Sequence, residues 1–181
     1  MKAIFLDRDG TINQDSEDYI KNLQEFQILP KVPQALQILC DAGFKFFIIT
    51  NQSGIGRGYF TVKELDEMHK FLVAELEKDK ISILDIYYCP HLPAEECECR
   101  KPNILNVTKA AQKYDINLTQ SWFIGDSEKD IITGIKANCK TALVLTGIKG
   151  VTAQVAKSWS YRPDIIADNL LDAAQQIISL E

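Results

Sequence analysis

The chain has 181 residues, 46% of them hydrophobic and 25% charged, with a net charge of −5 at pH 7. That length suits one ordinary domain with a full core, and the composition excludes a repetitive, low-complexity or disordered polypeptide. The negative balance excludes a global basic field for nucleic acid, so an anionic ligand has to be held by a few local cations.

No apolar stretch approaches the ~20 residues needed to cross a bilayer. The first residues already read as a core strand, which leaves no room for a signal peptide. The expectation is a single domain over residues 1–181, a cytoplasmic monomer with neither nucleic acid nor membrane as partner. In that compartment the five cysteines read as thiols or metal ligands rather than disulfides.

The first apolar run, Lys2–Leu6, ends in Asp7-Arg8-Asp9-Gly10-Thr11. Side chains alternate along a strand, so Asp7 and Asp9 point the same way as it runs out. Gly10 tolerates the positive φ of a sharp turn. Two close carboxylates repel unless a cation or shared proton relieves them, and Mg²⁺ prefers such oxygen ligands. A surface turn is the plainer explanation of this motif taken alone. Residues 13–29 are too long for a simple connection and read as a flap or hairpin beside a site.

A helical period follows from Val32, with Pro33 in the first turn, and ends near Gly43. The next strand, Phe44–Thr50, opens into Asn51-Gln52-Ser53-Gly54. Thr61 with Glu64 three residues on is a capping-box pattern, and Leu65, Met68, Leu72 and Leu76 keep helical spacing behind it. Strand Ile83–Tyr88 leads into Cys89-Pro90-His91, then Cys97-Glu98-Cys99, then Arg100-Lys101-Pro102. Further on come a helix at Ile104–Tyr114, a strand at Ser121–Gly125 ending in Asp126-Ser127, a helix at Lys129–Ala137, strands at Thr141–Leu145 and Asp164–Ala167, and a helix at Asn169–Ser179. Alternating strands and helices imply right-handed crossovers. The expected fold is α/β: a Rossmann-like, doubly wound, mostly parallel sheet with helices on both faces. Ligands in such sheets bind beyond the carboxyl ends of the strands, where every polar cluster of this chain falls.

Phosphoryl transfer needs what these ends supply: a carboxylate nucleophile (Asp7), a neighbouring acid/base (Asp9), a metal-binding carboxylate (Asp126), and Thr50 and Lys101 to hold phosphoryl oxygens. Asp130 returns to the side of Asp126, where it can orient Lys101 or metal-bound water. Each alone has a structural explanation, such as a turn, a solvated lysine or a helix cap. Three thiols and an imidazole within eleven positions, Cys89, His91, Cys97 and Cys99, fit a closed tetrahedral structural zinc site. That loop leads directly into Arg100 and Lys101 and is expected to fix both at the phosphate.

Asp-x-Asp-Gly-Thr, the strand-ending Thr50, Lys101 and Gly-Asp-x-x-x-Asp (125–130) resemble the four motifs of the haloacid dehalogenase superfamily of phosphatases, over Lys2 to about Leu145. The resemblance implies that Asp7 forms an aspartyl-phosphate and that Asp9 protonates the leaving alkoxide, then activates water. It also implies that Mg²⁺ is held by the Asp7 carboxylate, the Asp9 carbonyl and the Asp126 carboxylate. Asp9 is expected to be protonated when it meets the substrate.

The zinc loop resembles that of a branch with a small or absent cap, containing the D-glycero-D-manno-heptose 1,7-bisphosphate 7-phosphatases and the histidinol-phosphate phosphatases. Thr50 to Thr61 and Ile86 to His91 look like the heptose enzymes, whereas the short His91-to-Cys97 spacing looks like the histidinol enzymes. The stretch beside the phosphate site carries more weight, so a phosphorylated sugar is the expected partner. Asn51, Gln52, Ser53, Arg57, Arg100 and Lys101 are the expected substrate contacts, with Arg57 and Arg100 suited to a second phosphate or a sugar hydroxyl. Other classes leave more unexplained. A phospho-receiver domain does not place its acids in this way. A non-catalytic zinc module ignores the acids at three strand ends. A metal-free Ser or Cys hydrolase lacks a base, since His69 falls in a helical pattern away from the strand ends.

Overall fold

The computed structural model describes residues 1–181. Six strands, β1 (Ala3–Leu6), β2 (Lys45–Asn51), β3 (Ile83–Cys89), β4 (Trp122–Gly125), β5 (Lys140–Val144) and β6 (Ile165–Ala167), form one sheet. Their order is β3-β2-β1-β4-β5-β6, and every pair is parallel. Chain order runs outward to one edge and then, from β1, to the other. The reversal lies between β1 and β4, where a crevice opens at the carboxyl ends.

Alternation along the strands builds two cores. Ile4, Leu6, Phe46, Ile48, Trp122, Ile124, Ala142 and Val144 face one side with α1 (Val32–Asp41), α2 (Val62–Lys78) and α6 (Leu170–Leu180). Phe5, Phe47, Ile49 and Phe123 face the other with α3 (Leu105–Tyr114). Leu143 packs on Ile131 of α4 (Glu128–Lys136) and Ala156 of α5 (Ala153–Lys157). Truncating one of these fully buried leucines would cost roughly 2–5 kcal/mol.

Local signals set the helix boundaries. Thr61 Oγ1 accepts from the Glu64 N–H at 3.2 Å while Glu64 Oε2 accepts from the Thr61 N–H at 2.7 Å. This reciprocal cap starts α2 and fixes which of its residues face the sheet. Asn169 Oδ1 caps α6 through the N–H groups of Leu171 and Asp172. Residues 13–29 contain no regular element, but their base is closed like a hairpin: Gln14 N–H donates to Gln27 O and Leu29 N–H to Ile12 O. No helix is long and apolar enough to cross a membrane.

Candidate active site

Four chain segments converge beyond the sheet's carboxyl edge on a cleft of about 380 Å³, lined among others by Asp7, Asp9, Thr50, Lys101 and Asp126. The chain leaving β1 is still tied to the sheet, because the Asp7 N–H donates to Ile124 O at 2.9 Å. Gly10 follows with φ +81°, and a Cβ there would lie 2.6 Å from Asp126 Oδ2. Gly147, in the loop after β5, leaves the space that the same carboxylate fills, and a Cβ on it would overlap Asp126 Oδ2. Two glycines thus wall in one buried acid.

Lys101 joins the acids. Its Nζ lies 2.8 Å from Asp7 Oδ1 and 2.6 Å from Asp130 Oδ1, and it is almost fully buried. The Ser127 N–H and Oγ donate to Asp130 Oδ2, which fixes this acid at the start of α4. Burial alone would lower the Lys101 pKa, but the carboxylates of Asp130 and Asp7 outweigh it and hold the pKa above the ordinary lysine value. Asp126 differs from its neighbours: its buried Oδ2 has no partner. Burial, followed by the charges of Asp7 and Asp130, pushes the Asp126 pKa well above the carboxylate range. Asp7 is raised as well, chiefly by burial, with Lys101 opposing. Carboxylate oxygens of Asp7, Asp126 and Asp130 lie within 4.8 Å of one another. An orphaned oxygen among crowded acids is the donor set that a hard divalent cation relieves.

Asp9 stands apart electrostatically. Burial would raise its pKa, yet the Arg8 guanidinium and hydrogen bonds from Asn13, Arg8 and Gln52 more than offset this and lower it. The expected protonation of Asp9 belongs to the encounter with substrate; in the ligand-free protein five nitrogen contacts within hydrogen-bond distance occupy its oxygens and favour the carboxylate.

The sulfur cluster lies beside this cleft. Cys89 Sγ is 3.4 Å from Cys97 Sγ and 3.5 Å from His91 Nδ1, which is 3.3 Å from Cys99 Sγ. A tetrahedral centre with Zn–S bonds of about 2.3 Å has edges of about 3.7 Å, so the four donors stand close to that arrangement. Apart from a short 3₁₀ turn at Pro93–Glu95, the loop carrying them has no regular structure. Hydrogen bonds from Asn103 to Cys97 O, Asn106 to Cys99 O and Arg100 to His91 O tie it to the cleft wall.

The expected substrate contacts divide. Ser53, Arg100 and Lys101 line the cleft, as does Asn51. The Asn51 amide, however, is spent on the Lys101 backbone, accepting from its N–H at 3.0 Å and donating to its carbonyl at 3.2 Å. Gln52 is turned away from the cleft. Its Nε2 donates to Asp9 Oδ2 and Thr50 Oγ1 and its Oε1 accepts from Arg8, which saturates a buried amide. Arg57 lies outside the cleft lining, with its Nε donating to Tyr19 OH at 2.8 Å. Sequence reasoning missed Tyr19, Lys129 and Lys149, which do line the cleft, and Arg8, which is wholly buried. It also misplaced His69, whose Nε2 lies 3.3 Å from Arg8 Nη1 because α2 packs beneath the end of β1. The available signal for His69 was its place on the apolar stripe of an amphipathic helix, four residues after Leu65 and three before Leu72.

An all-parallel sheet whose first strand ends in Asp7-x-Asp9, with Lys101 clamped between Asp7 and Asp130, defines a phosphatase of the HAD-like hydrolase class. A HAD-hydrolase-like family model matches residues 98–173. A D-glycero-beta-D-manno-heptose-1,7-bisphosphate 7-phosphatase of Pseudomonas putida is 38% identical, over 98% of this chain and all of that one. The enzyme of the same name from Haemophilus ducreyi is 35% identical, over 94% and 95% of the two chains. The crystal structure of D,D-heptose 1,7-bisphosphate phosphatase from B. bronchiseptica, complexed with magnesium and phosphate, superposes over the full length of both chains with TM-score 0.90 at 32% identity. The chain belongs to this heptose bisphosphate phosphatase family. The stretch after β2 therefore outweighs the short zinc loop as a guide to the branch.

Proposed function

We propose that residues 1–181 are one phosphatase domain that removes the 7-phosphate of D-glycero-D-manno-heptose 1,7-bisphosphate through an aspartyl-phosphate on Asp7. The observation that carries this is Lys101 held 2.8 Å from Asp7 and 2.6 Å from Asp130, beside the unpartnered oxygen of Asp126. Asp7, Asp126 and the Asp9 carbonyl would hold Mg²⁺, whose charge would let a phosphate dianion approach an anionic nucleophile.

Asp7 attacks phosphorus, the bond from phosphorus to the sugar oxygen breaks, and Asp9 gives its proton to that oxygen. Asp9 then takes a proton from water as the water attacks the phosphorus of the aspartyl-phosphate. The phosphorus–Asp7 bond breaks, releasing inorganic phosphate and restoring Asp7. Because Asp9 is a carboxylate in the free protein, its proton is acquired only as the phosphate's charge enters the cleft. Lys101 and Thr50 steady the phosphoryl oxygens, and Asp130 orients Lys101.

Zinc on Cys89, His91, Cys97 and Cys99 would be structural, because four protein donors leave no open position. Such a thiol-rich set favours a reducing compartment, the cytoplasm. A bisphosphate is favoured over a monophosphate by Arg100, Lys129 and Lys149, three cations that line the cleft in addition to Lys101. The experiment is a comparison of kcat/KM for heptose 1,7-bisphosphate, histidinol phosphate and simple sugar phosphates with Mg²⁺. The expected result is a preference of at least about tenfold for the bisphosphate, near 1.4 kcal/mol. A preference for histidinol phosphate would overturn the substrate and leave the mechanism standing.

A further inference from the structure

Arg8 lies between the two acids of the first strand end, yet it never reaches the cleft. It is wholly buried, and a buried guanidinium has to satisfy its donors inside the protein. Nε and Nη2 donate to Asp9 Oδ1 at 3.1 and 2.8 Å, and Nη2 also approaches Asp9 Oδ2 and Gln52 Oε1. On another side the Phe26 ring centroid lies 5.5 Å from the guanidinium carbon. Nη1 points away from the acid, to His69 Nε2 at 3.3 Å.

A guanidinium has no acceptor, so His69 Nε2 accepts this hydrogen bond and the imidazole proton sits on Nδ1. His69 is on the second turn of α2, and Leu65, Met68, Leu72 and Leu76 seat that helix in the main core. The imidazole therefore inherits the rigidity of the core and passes it outward. We infer that His69 is a positioning residue for this phosphatase reaction, holding the Arg8 guanidinium so that Arg8 in turn fixes the Asp9 carboxyl group. Burial, reinforced by the Arg8 charge, pushes the imidazole pKa down to about 3, so the ring stays neutral and keeps its acceptor at working pH.

The inference rests on Asp9 being the acid/base of the proposed function, and its test separates the two. His69→Phe fills the same space without an acceptor, while His69→Gln can offer Oε1 in place of Nε2. With an alkyl phosphomonoester, His69→Phe is expected to lose about tenfold in kcat with KM within about twofold of the wild type, a part of the roughly 10²–10⁴-fold that positioned proton delivery contributes, because Asp9 itself is still present. His69→Gln is expected to recover most of that loss. With p-nitrophenyl phosphate, whose leaving group needs no proton, the initial burst of phenolate from His69→Phe should keep its wild-type rate. Equal losses on the two leaving groups, or a kcat unchanged in His69→Phe, would overturn the inference. A readout independent of turnover is the Arg8 Nε–H resonance in ¹⁵N NMR. It should be resolved and slowly exchanging in the wild type and His69→Gln, and broadened or lost in His69→Phe. An unchanged Arg8 signal in folded His69→Phe contradicts the positioning role, whatever the enzyme turns over.

Discussion

The oxygen cluster and the sulfur cluster stand side by side and are built in opposite ways. Asp7, Lys101, Asp126 and Asp130 come from β1, the loop before α3, the end of β4 and the first turn of α4, so only the folded sheet brings them together. Cys89, His91, Cys97 and Cys99 come from a single segment of eleven residues that is almost without regular structure. The first cluster is preorganised by the core. The second is anchored at Cys89 on the end of β3 and by a few hydrogen bonds, and otherwise depends on its own ligands, as is usual where metal binding and local folding are coupled. Each meets the cleft at Lys101: the sheet supplies its acid partners, and the loop supplies the backbone that delivers it.

Perturbing the sheet-built cluster should act on chemistry. Asp7→Asn keeps the shape and removes the nucleophile, so kcat should fall by at least about 10⁴-fold with the thermal midpoint little changed. Phosphatase assay alongside differential scanning calorimetry checks this, and turnover near the wild-type rate would break the comparison at its stronger end.

Perturbing the loop should act on binding. Protein purified without chelator should contain about one zinc per chain. Its removal should raise KM about tenfold or more and speed amide exchange over residues 89–101, while the sheet stays protected. Metal analysis and hydrogen exchange decide this, and a preparation free of zinc with a protected loop would remove the distinction.

Gly147→Ala sharpens the picture on the oxygen side, because the new methyl group would press on the Asp126 carboxylate. Mg²⁺ affinity measured by calorimetry should weaken about tenfold, or about 1.4 kcal/mol. Zinc content should not change.

The smallest effect at neutral pH concerns the core beneath the oxygen cluster. The folded His69 pKa is about 3, below the ordinary 6.5, because of burial and then the Arg8 charge. The unfolded chain therefore binds a proton that the folded one refuses. The stability is fully present above pH 6.5 and is lost as pH falls from there toward 3, with a slope approaching 1.4 kcal/mol per pH unit at most. Urea unfolding at pH 7, 6 and 5 should show a shallower acid decline for His69→Gln than for the wild type, and parallel declines would contradict it.

Much of the molecule was legible in the sequence because its signals are local. Each strand is a short apolar run, and Thr61-x-x-Glu64 marks a helix start in any context. The sulfur cluster was legible for the same reason, and Asp7, Thr50 and Asp126 because each ends a strand in an alternating βα pattern. Helix α5 was missed because its five residues are too few for a period to emerge. The failures at the site are of another kind. Arg8 and His69 meet across 61 positions, and neither carries a sequence pattern that announces the other. Gln52 and Asn51 have the composition of ligand-binding residues, but burial turned one to Asp9 and the other to the Lys101 backbone. Polar residue type foretold that these groups would be used. Only the packing decided on what.

The central claim is that the sheet-built acids form a covalent phosphoenzyme on Asp7. Acid quenching of the Mg²⁺-loaded enzyme during turnover of heptose 1,7-bisphosphate, followed by peptide mass spectrometry, tests it most directly. The expected result is a phosphate adduct on the peptide containing Asp7, sensitive to hydroxylamine and absent from Asp7→Asn. A phosphate adduct on a different residue of an enzyme that is turning over would contradict the account.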